Sequence, residues 1–367
     1  MRTYVRRGLA VAAVALTLCA SACGKANQAS GNGSDNVSVN DGFKVGVLLP
    51  ESKTARYEKF DRPYLEADIA KACPKCTVEY RNANQNANTQ RQQVDSVLAA
   101  GVKVIIVDSV NYKSIQSSVK KAKQQGVPVI AYDRLATGPI AGYSSFDNEK
   151  IGELQGQAFL TAISKGGNPK RGKVILVNGS PDDPNAPDFK KGMHKVLDGK
   201  VNVGAEYDTT DWSPDGARQE VGGAISKIGA KNVLGVYAAN DGMAGGAIAA
   251  LKSANVTPLP PVTGQDSELA GIQRILKGEQ YATIYKSIKP QAQAAAEMAV
   301  AAAQGKKWTG GSATVNNGTV TVPAKIVSAQ TVTKENIQST VVDDGYWKVS
   351  EICTATYAAA CTAAGVK

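Results

Sequence analysis

A single histidine, His194, stands in 367 residues. That scarcity removes any multi-histidine metal site and makes a histidine-based catalytic triad depend on this one residue. Aromatic residues make up only 6% of the chain, so a tryptophan placed in a polar loop is informative. Beyond the first two dozen positions no apolar run approaches the roughly 20 residues that a membrane-spanning helix needs. The small-residue cluster at Gly242, Gly245 and Gly246 lacks the G-x-G-x-x-G spacing of a dinucleotide site and reads as close helix packing. Basic residues exceed acidic ones, for a formal net charge of +10, yet no basic run interleaves with aromatics. The excess therefore describes a solvated surface rather than a nucleic-acid face.

The N-terminus carries Arg2, Arg6 and Arg7, an apolar stretch over 9–18, and then Ala20-Ser21-Ala22-Cys23. This is the three-part build of a secretory signal over 1–22. Small residues directly before a cysteine resemble the lipobox of bacterial lipoproteins, in which Cys23 becomes a lipidated N-terminus that holds the protein at a membrane. Ordinary cleavage would instead leave Cys23 as a free thiol. Removal of the leader's three arginines lowers the net charge by three. Residues 23–42 are rich in Gly, Asn, Ser and Asp, the composition of a flexible tether with a root-mean-square reach of roughly 25 Å.

Cys19 leaves with the signal, so Cys73, Cys76, Cys353 and Cys361 remain for two disulfides in an oxidising compartment. Three connectivities are open, and nearness in sequence favours Cys73–Cys76 and Cys353–Cys361. A redox reading of Cys73-Pro74-Lys75-Cys76 is weak, because the motif closes a helix before a strand rather than opening a helix after one.

After Gly42 strands and helices alternate. Apolar runs over 45–49, 104–107 and 127–132 read as strands buried on both faces. Helices are expected over 54–72, 89–100 and 114–125. The rhythm restarts after Phe146, with helices over 148–163, 189–197, 214–228 and 242–251 and strands at 174–177, 201–207, 233–237 and 262. The serial β-α-β order predicts an α/β protein with two doubly wound, parallel-sheet lobes.

Six apolar runs stop at polar or aromatic side chains. They are 45–49 before Arg56 and Tyr57, 127–131 before Tyr132-Asp133-Arg134, 140–145 before Phe146-Asp147-Asn148, 233–237 before Asn240-Asp241, 262–264 before Gln265-Asp266, and 282–285 before Lys286. Ligands of open α/β sheets bind beyond the carboxyl ends of the strands, so the repetition predicts one polar site assembled from distant loops. A monosaccharide suits such a set. Its hydroxyls donate and accept, while its ring faces offer flat C–H patches. Asp133, Asp266, Asn148, Asn240, Arg56, Arg134 and Lys286 supply acceptors, donors and groups that are both. Trp212 and Tyr57 are the candidate stacking rings. Asp183, Asn185 and Phe146 are lesser candidates. Asn240 could equally be a helix cap, and Tyr57 could merely close the lobe.

Four blocks invite a comparison: Val129-Ile130-Ala131-Tyr132-Asp133-Arg134, residues 145–155 from Ser145-Phe146-Asp147-Asn148 onward, residues 240–248 beginning Asn240-Asp241-Gly242, and Gly264-Gln265-Asp266. They resemble the D-xylose-binding proteins of ABC importers, within the type I periplasmic sugar-binding family. The resemblance covers 44 to about 348. It implies two lobes joined by three hinge crossovers, with sugar in the cleft between them. It also implies an N-terminal lobe of 43–145 plus 287–305, a C-terminal lobe of 146–286 plus 306–350, and a tail over 351–367 outside the likeness. The implied protein is an extracytoplasmic, monomeric solute-binding lipoprotein, without cofactor or metal, that delivers its sugar to an ABC permease. One stretch departs from the D-xylose pattern. Pro50-Glu51-Ser52-Lys53-Thr54-Ala55-Arg56-Tyr57 is more like the multiple-monosaccharide binders of glucose and galactose, some of which also serve chemosensing.

A glycoside-acting enzyme is the rival reading. It needs one carboxylic acid of a pair kept protonated, and three cations beside Asp133 and Asp266 argue against that. A sugar-responsive transcription repressor would begin with a helix-turn-helix, where this chain has a leader and a tether.

Overall fold

The continuous apolar runs become interior strands in a computed structural model that describes residues 37–367. The first lobe runs through β1 (Lys44–Leu49), a wide helical turn over Tyr57–Asp61, α1 (Arg62–Ala72), β2 (Thr77–Asn82), α2 (Ala87–Ala99), β3 (Val104–Val107), α3 (Gln116–Gln124), β4 (Val129–Tyr132) and β5 (Gly142–Phe146). The second runs through α4 (Asn148–Ser164), β6 (Lys173–Asn178), α5 (Asn185–Leu197), β7 (Val203–Asp208), α6 (Pro214–Ile228), β8 (Val233–Ala238), α7 (Asp241–Ser253), β9 (Val262–Thr263), α8 (Leu269–Leu276) and β10 (Thr283–Lys286). The chain then continues through α9 (Ile288–Ala303), β11 (Ala313–Asn316), β12 (Thr321–Val327), β13 (Ala329–Val332), α10 (Val349–Ile352) and α11 (Ala358–Ala364).

Alternation along each strand decides which helices cover which face. In the first sheet Val45, Val47, Leu49, Val104 and Ile106 join the core under α1 and α9. Leu48, Ile105 and Val107 join the opposite core under α2 and α3. The strand order is β11-β12-β5-β4-β3-β1-β2, parallel throughout except for β11 against β12. The second sheet runs β7-β6-β8-β9, and a bridge from Thr263 to Ala282 continues it toward β10, which pairs antiparallel with β13. Helix packing there uses the small residues of α7. A Cβ on Gly246 would fall 2.1 Å from the Pro214 carbonyl oxygen, so only glycine lets α7 approach α6 this closely.

The chain passes between the two sheets three times, at 146–148, 286–288 and 327–329. The last passage alters the expected lobe division. Residues 306–350 were expected in the C-terminal lobe, but β11 and β12 belong to the first sheet, where β12 lies parallel to β5. Val322 and Ala324 fill the core under α3, and pairing covers the edge that β5 would otherwise expose. Of these three strands only β13 pairs in the second lobe, and the segment after it packs there too, through Ile337, Val341, Tyr346 and Trp347.

Three other expectations change. The helix expected over 54–72 begins two residues later: Thr54 lies in a bend, Arg56 with φ −56° and ψ −41° opens the wide helical turn, and Pro63, which has no N–H to give, sits in the first turn of α1. The proposed tether includes residues that are seated on the body, since Val37 and Val39 pack against the first lobe's core. The signal over 1–22, Cys23 and the tether as far as residue 36 lie outside the described residues. The tail over 351–367 is not separate. Ile352, Cys361 and Val366 are buried in the second lobe's core, and its staple joins Cys353 to Cys361, as another joins Cys73 to Cys76. No helix among the described residues is long and apolar enough to cross a membrane.

Candidate functional site

Glu51 organises the loop after β1. Its carboxylate accepts the Thr54 backbone N–H at 3.0 Å, which curls 51–54 and presents Arg56 to the cleft. Arg56 is buried and held from behind by both oxygens of Asp61, at 2.9 and 2.6 Å, and by Gln291 at 3.1 Å. Its remaining nitrogen faces Asp133 at 3.4 Å. Asp133 follows β4 with a positive φ of 56°, and its carbonyl accepts hydroxyls from Tyr143 and Ser145 at 2.9 and 2.7 Å. A backbone conformation rare for a non-glycine residue is thus pinned where it aims a carboxylate into the cleft. Arg134 reaches the other way, pairing with Asp183 of the second lobe at 2.8 Å and donating to the Tyr57 hydroxyl at 3.2 Å.

The second lobe answers from five loops. Asn185 opens α5 and donates to the Asp133 carbonyl at 3.3 Å. Asn240 caps α7 by accepting the Met243 N–H at 2.8 Å, which leaves its NH2 group uncommitted. Lys286 at the end of β10 pairs with Asp266 at 2.7 Å. Trp212 leaves the loop after β7 and meets Phe189 edge-on at 6.4 Å.

These groups line one small, largely polar cavity between the lobes. Of the residues predicted from sequence, Arg56, Tyr57, Asp133, Arg134, Asp183, Asn185, Trp212, Asn240, Asp266 and Lys286 line it. Asn148 and Phe146 lie behind the wall. Asn148 donates to Asn185 at 2.8 Å, and the Phe146 ring lies under both Arg56 and Lys286, at 5.9 and 5.6 Å. Thr54, Phe189 and Gln265 line the cavity without having been singled out. Gln265 stood in a quoted block, Thr54 was hidden in a predicted helix, and Phe189 read as one more apolar position of α5. The Trp212 indole nitrogen and Gln265 Oε1 are buried with no hydrogen-bond partner among the described residues. Leaving such groups unpaired is costly, so each is a donor or acceptor available to a bound partner.

Charge around the cavity is strongly organised. Burial pushes the Asp133 carboxyl up, but Arg56, Lys286 and Arg134 outweigh it and hold the group below the ordinary carboxylate range. Burial raises Asp183 and raises Asp108 further, against the opposing pull of Arg134. Both arginines are held above their usual range, because neighbouring acids overcome the cost of burial. No group of three or more His, Cys, Asp or Glu able to hold a metal occurs among the described residues. The arrangement can grip a neutral polyhydroxylated molecule by charge-assisted hydrogen bonds.

Known proteins share this arrangement of lobes. The periplasmic binding protein domain model matches residues 45–307. The D-xylose-binding periplasmic protein of Escherichia coli strain K12 is 36% identical over 315 residues, which cover 84% of this chain and 92% of that protein. A multiple sugar-binding periplasmic protein of Azospirillum brasilense is 31% identical, over 83% of this chain and 89% of its own length. A solved ABC transporter solute-binding protein of Clostridium phytofermentans with bound β-D-glucose superposes with a TM-score of 0.77 at 26% identity, over 84% of this chain and 99% of that one.

Proposed function

The chain belongs to the periplasmic binding protein domain family, of the type I sugar-binding class, and from that membership we propose that it captures one monosaccharide, D-xylose, between its lobes and hands it to an ABC permease. The observation that carries this reading is the interlobe cavity. Its walls alternate cations, carboxylates and amides with the rings of Tyr57, Phe189 and Trp212, and two of its buried polar atoms await partners. In this reading Arg56, Arg134, Asp133, Asn185, Asn240, Asp266 and Lys286 bind hydroxyls, while the rings cover the sugar's faces. No bond is broken. Domain closure around the sugar gives the permease a shape to recognise, through hinge motion at the three passages between the sheets.

The protein works outside the cytoplasm as a monomer, held to the membrane by lipid on Cys23. A palmitate label that is lost in a Cys23→Ser variant tests the anchor. A second reading, a binder of several aldoses including glucose, is favoured by the loop over 50–57 and by the likeness to a multiple sugar-binding protein. Calorimetry of the purified protein against D-xylose, D-glucose, D-galactose and L-arabinose separates the two. Micromolar binding of D-xylose alone, about −8 kcal/mol, supports the first. Equal binding of glucose supports the second. Binding of none of them, or turnover of a glycoside, overturns both.

A further inference from the structure

Asp266 and Ser267 both have positive φ, 91° and 51°, and neither is glycine. Such backbone persists only where its surroundings over-determine it. Here the strands hold the amides, since Asp266 N–H donates to the Ile284 carbonyl at 2.9 Å and Ser267 N–H to the Thr283 hydroxyl at 3.0 Å. The carbonyls are held by two aromatic residues from the segment before α10. The Tyr346 hydroxyl donates to the Asp266 carbonyl at 3.3 Å, and the Trp347 indole N–H donates to the Ser267 carbonyl at 2.8 Å. The side chain thus aimed is the Asp266 carboxylate of the cavity wall.

The same two rings face the other lobe. Phe60 lies in the turn that also carries Tyr57 and follows Arg56. It stacks on Tyr346 with centroids 3.9 Å apart and planes 21° apart, and it meets Trp347 edge-on at 5.0 Å. All three rings are buried, and Phe60 packs in the second lobe's core although its chain belongs to the first. At the rim, Lys59 pairs with Glu351 of α10 at 3.0 Å. One aromatic stack therefore grips the first lobe's cavity turn on one side and the strained Asp266 loop on the other.

We propose that Phe60, Tyr346 and Trp347 form a positioning clasp that couples closure of the lobes to presentation of Asp266, so that the residence time of the bound sugar is set at this stack as well as in the cavity. The proposal rests on the monosaccharide reading. A stack that merely filled the core would alter folding stability and leave release rates untouched. The clasp acts on the closed state, so its loss speeds release and leaves encounter nearly unchanged.

The test uses Phe60→Leu, which keeps apolar bulk but loses the stacked ring, and Trp347→Phe, which keeps a ring but loses the N–H to Ser267. Stopped-flow fluorescence gives association and release rates for the sugar that calorimetry identifies, and thermal melts of the sugar-free protein check folding. Each variant is expected to release sugar about fivefold or more faster, with association within about twofold of the parent. The double variant should be less than the product of the singles, because both residues act through one stack. Parental release rates in both folded variants, or multiplicative effects in the double variant, overturn the clasp. Should Phe60→Leu fail to fold, Trp347→Phe alone decides on the release rate. If the parent binds no monosaccharide, it is the functional reading that fails.

Discussion

Gly179 lies directly beneath the indole of Trp212: a Cβ at that position would sit 2.1 Å from Trp212 Cη2 and 2.4 Å from Cζ2. Glycine just past the end of β6 is therefore what allows the ring to approach the strand terminus this closely and form a wall of the cavity. Gly179→Ala should push the indole toward the ligand. Overpacking of this kind costs about 1–3 kcal/mol, so sugar affinity should fall by about tenfold or more, while the first lobe, which the ring does not support, stays folded. Calorimetry combined with tryptophan fluorescence reads the change. An alanine variant with parental affinity and an unmoved emission spectrum would contradict the arrangement.

Arg134 is the second test, because it serves two buried carboxylates from different lobes. Asp183 lies 2.8 Å from its Nε and Asp108 3.6 Å, and neither Asp108 oxygen has a hydrogen-bond partner among the described residues. Arg134→Met keeps much of the bulk and strands both acids. Breaking a buried pair in this way costs about 3–5 kcal/mol. Because burial already raises both carboxyls, the loss should be smaller at pH 5, where they can take up protons, than at pH 7.5. Urea midpoints at the two pH values check this. A deficit of equal size at both would mean that the acids are not the cause.

Much of the site was legible because strand ends and their following loops are visible in a sequence as apolar runs that stop at charge. Asp133, Arg134, Asn240, Asp266 and Lys286 were found by that rule. Asp108 at the end of β3 was not among the candidates, and nothing local distinguishes an acid that faces the cavity from one that orients an arginine. The destination of β11 and β12 was not legible, since alternation says that a strand has a buried face and not which sheet it joins. The tail escaped for a related reason. Ile352, Cys361 and Val366 are too sparse to give a period, and they become core only where α8 supplies the other half. Phe60 lies almost 300 residues before Tyr346 and Trp347, and their pairing is a property of the assembled lobes.

Asn148 gives a third prediction. It was read as a ligand residue, yet its side-chain N–H donates to Asn185, which in turn reaches the Asp133 carbonyl. Its replacement should act through Asn185. Asn148→Ala leaves the Asn185 carbonyl oxygen unpaired at about 1–3 kcal/mol. Affinity should then fall less than in Asn185→Ala, and adding Asn148→Ala to Asn185→Ala should cost little more. Additive losses in a double-mutant cycle would instead make Asn148 an independent contact.

The last prediction concerns pH and the carboxylates behind the Asp266 loop. Burial raises Asp241 to about 7, although Arg274, Gln280 and Thr283 oppose it. Burial, reinforced by Asp241 and Asp266, raises Glu268 to about 8. In an unfolded chain such groups titrate near 4. Between those values the folded protein holds protons that the unfolded chain has lost, so stability falls as pH rises from about 4 to about 8. Glu268 lies two residues beyond Asp266, so a charge gained there at high pH repels the carboxylate in the cavity wall. Glu268→Gln keeps the shape of the side chain and removes the charge. Above pH 7 this variant should be more stable than the parent and should hold its sugar affinity to pH 9, while the parent's affinity declines. Denaturation and calorimetry at pH 6, 7.5 and 9 measure both. Parallel profiles for parent and variant would show that Glu268 carries no proton into the closed form, and the decline at high pH would then belong to Asp241, for which Asp241→Asn is the matching experiment.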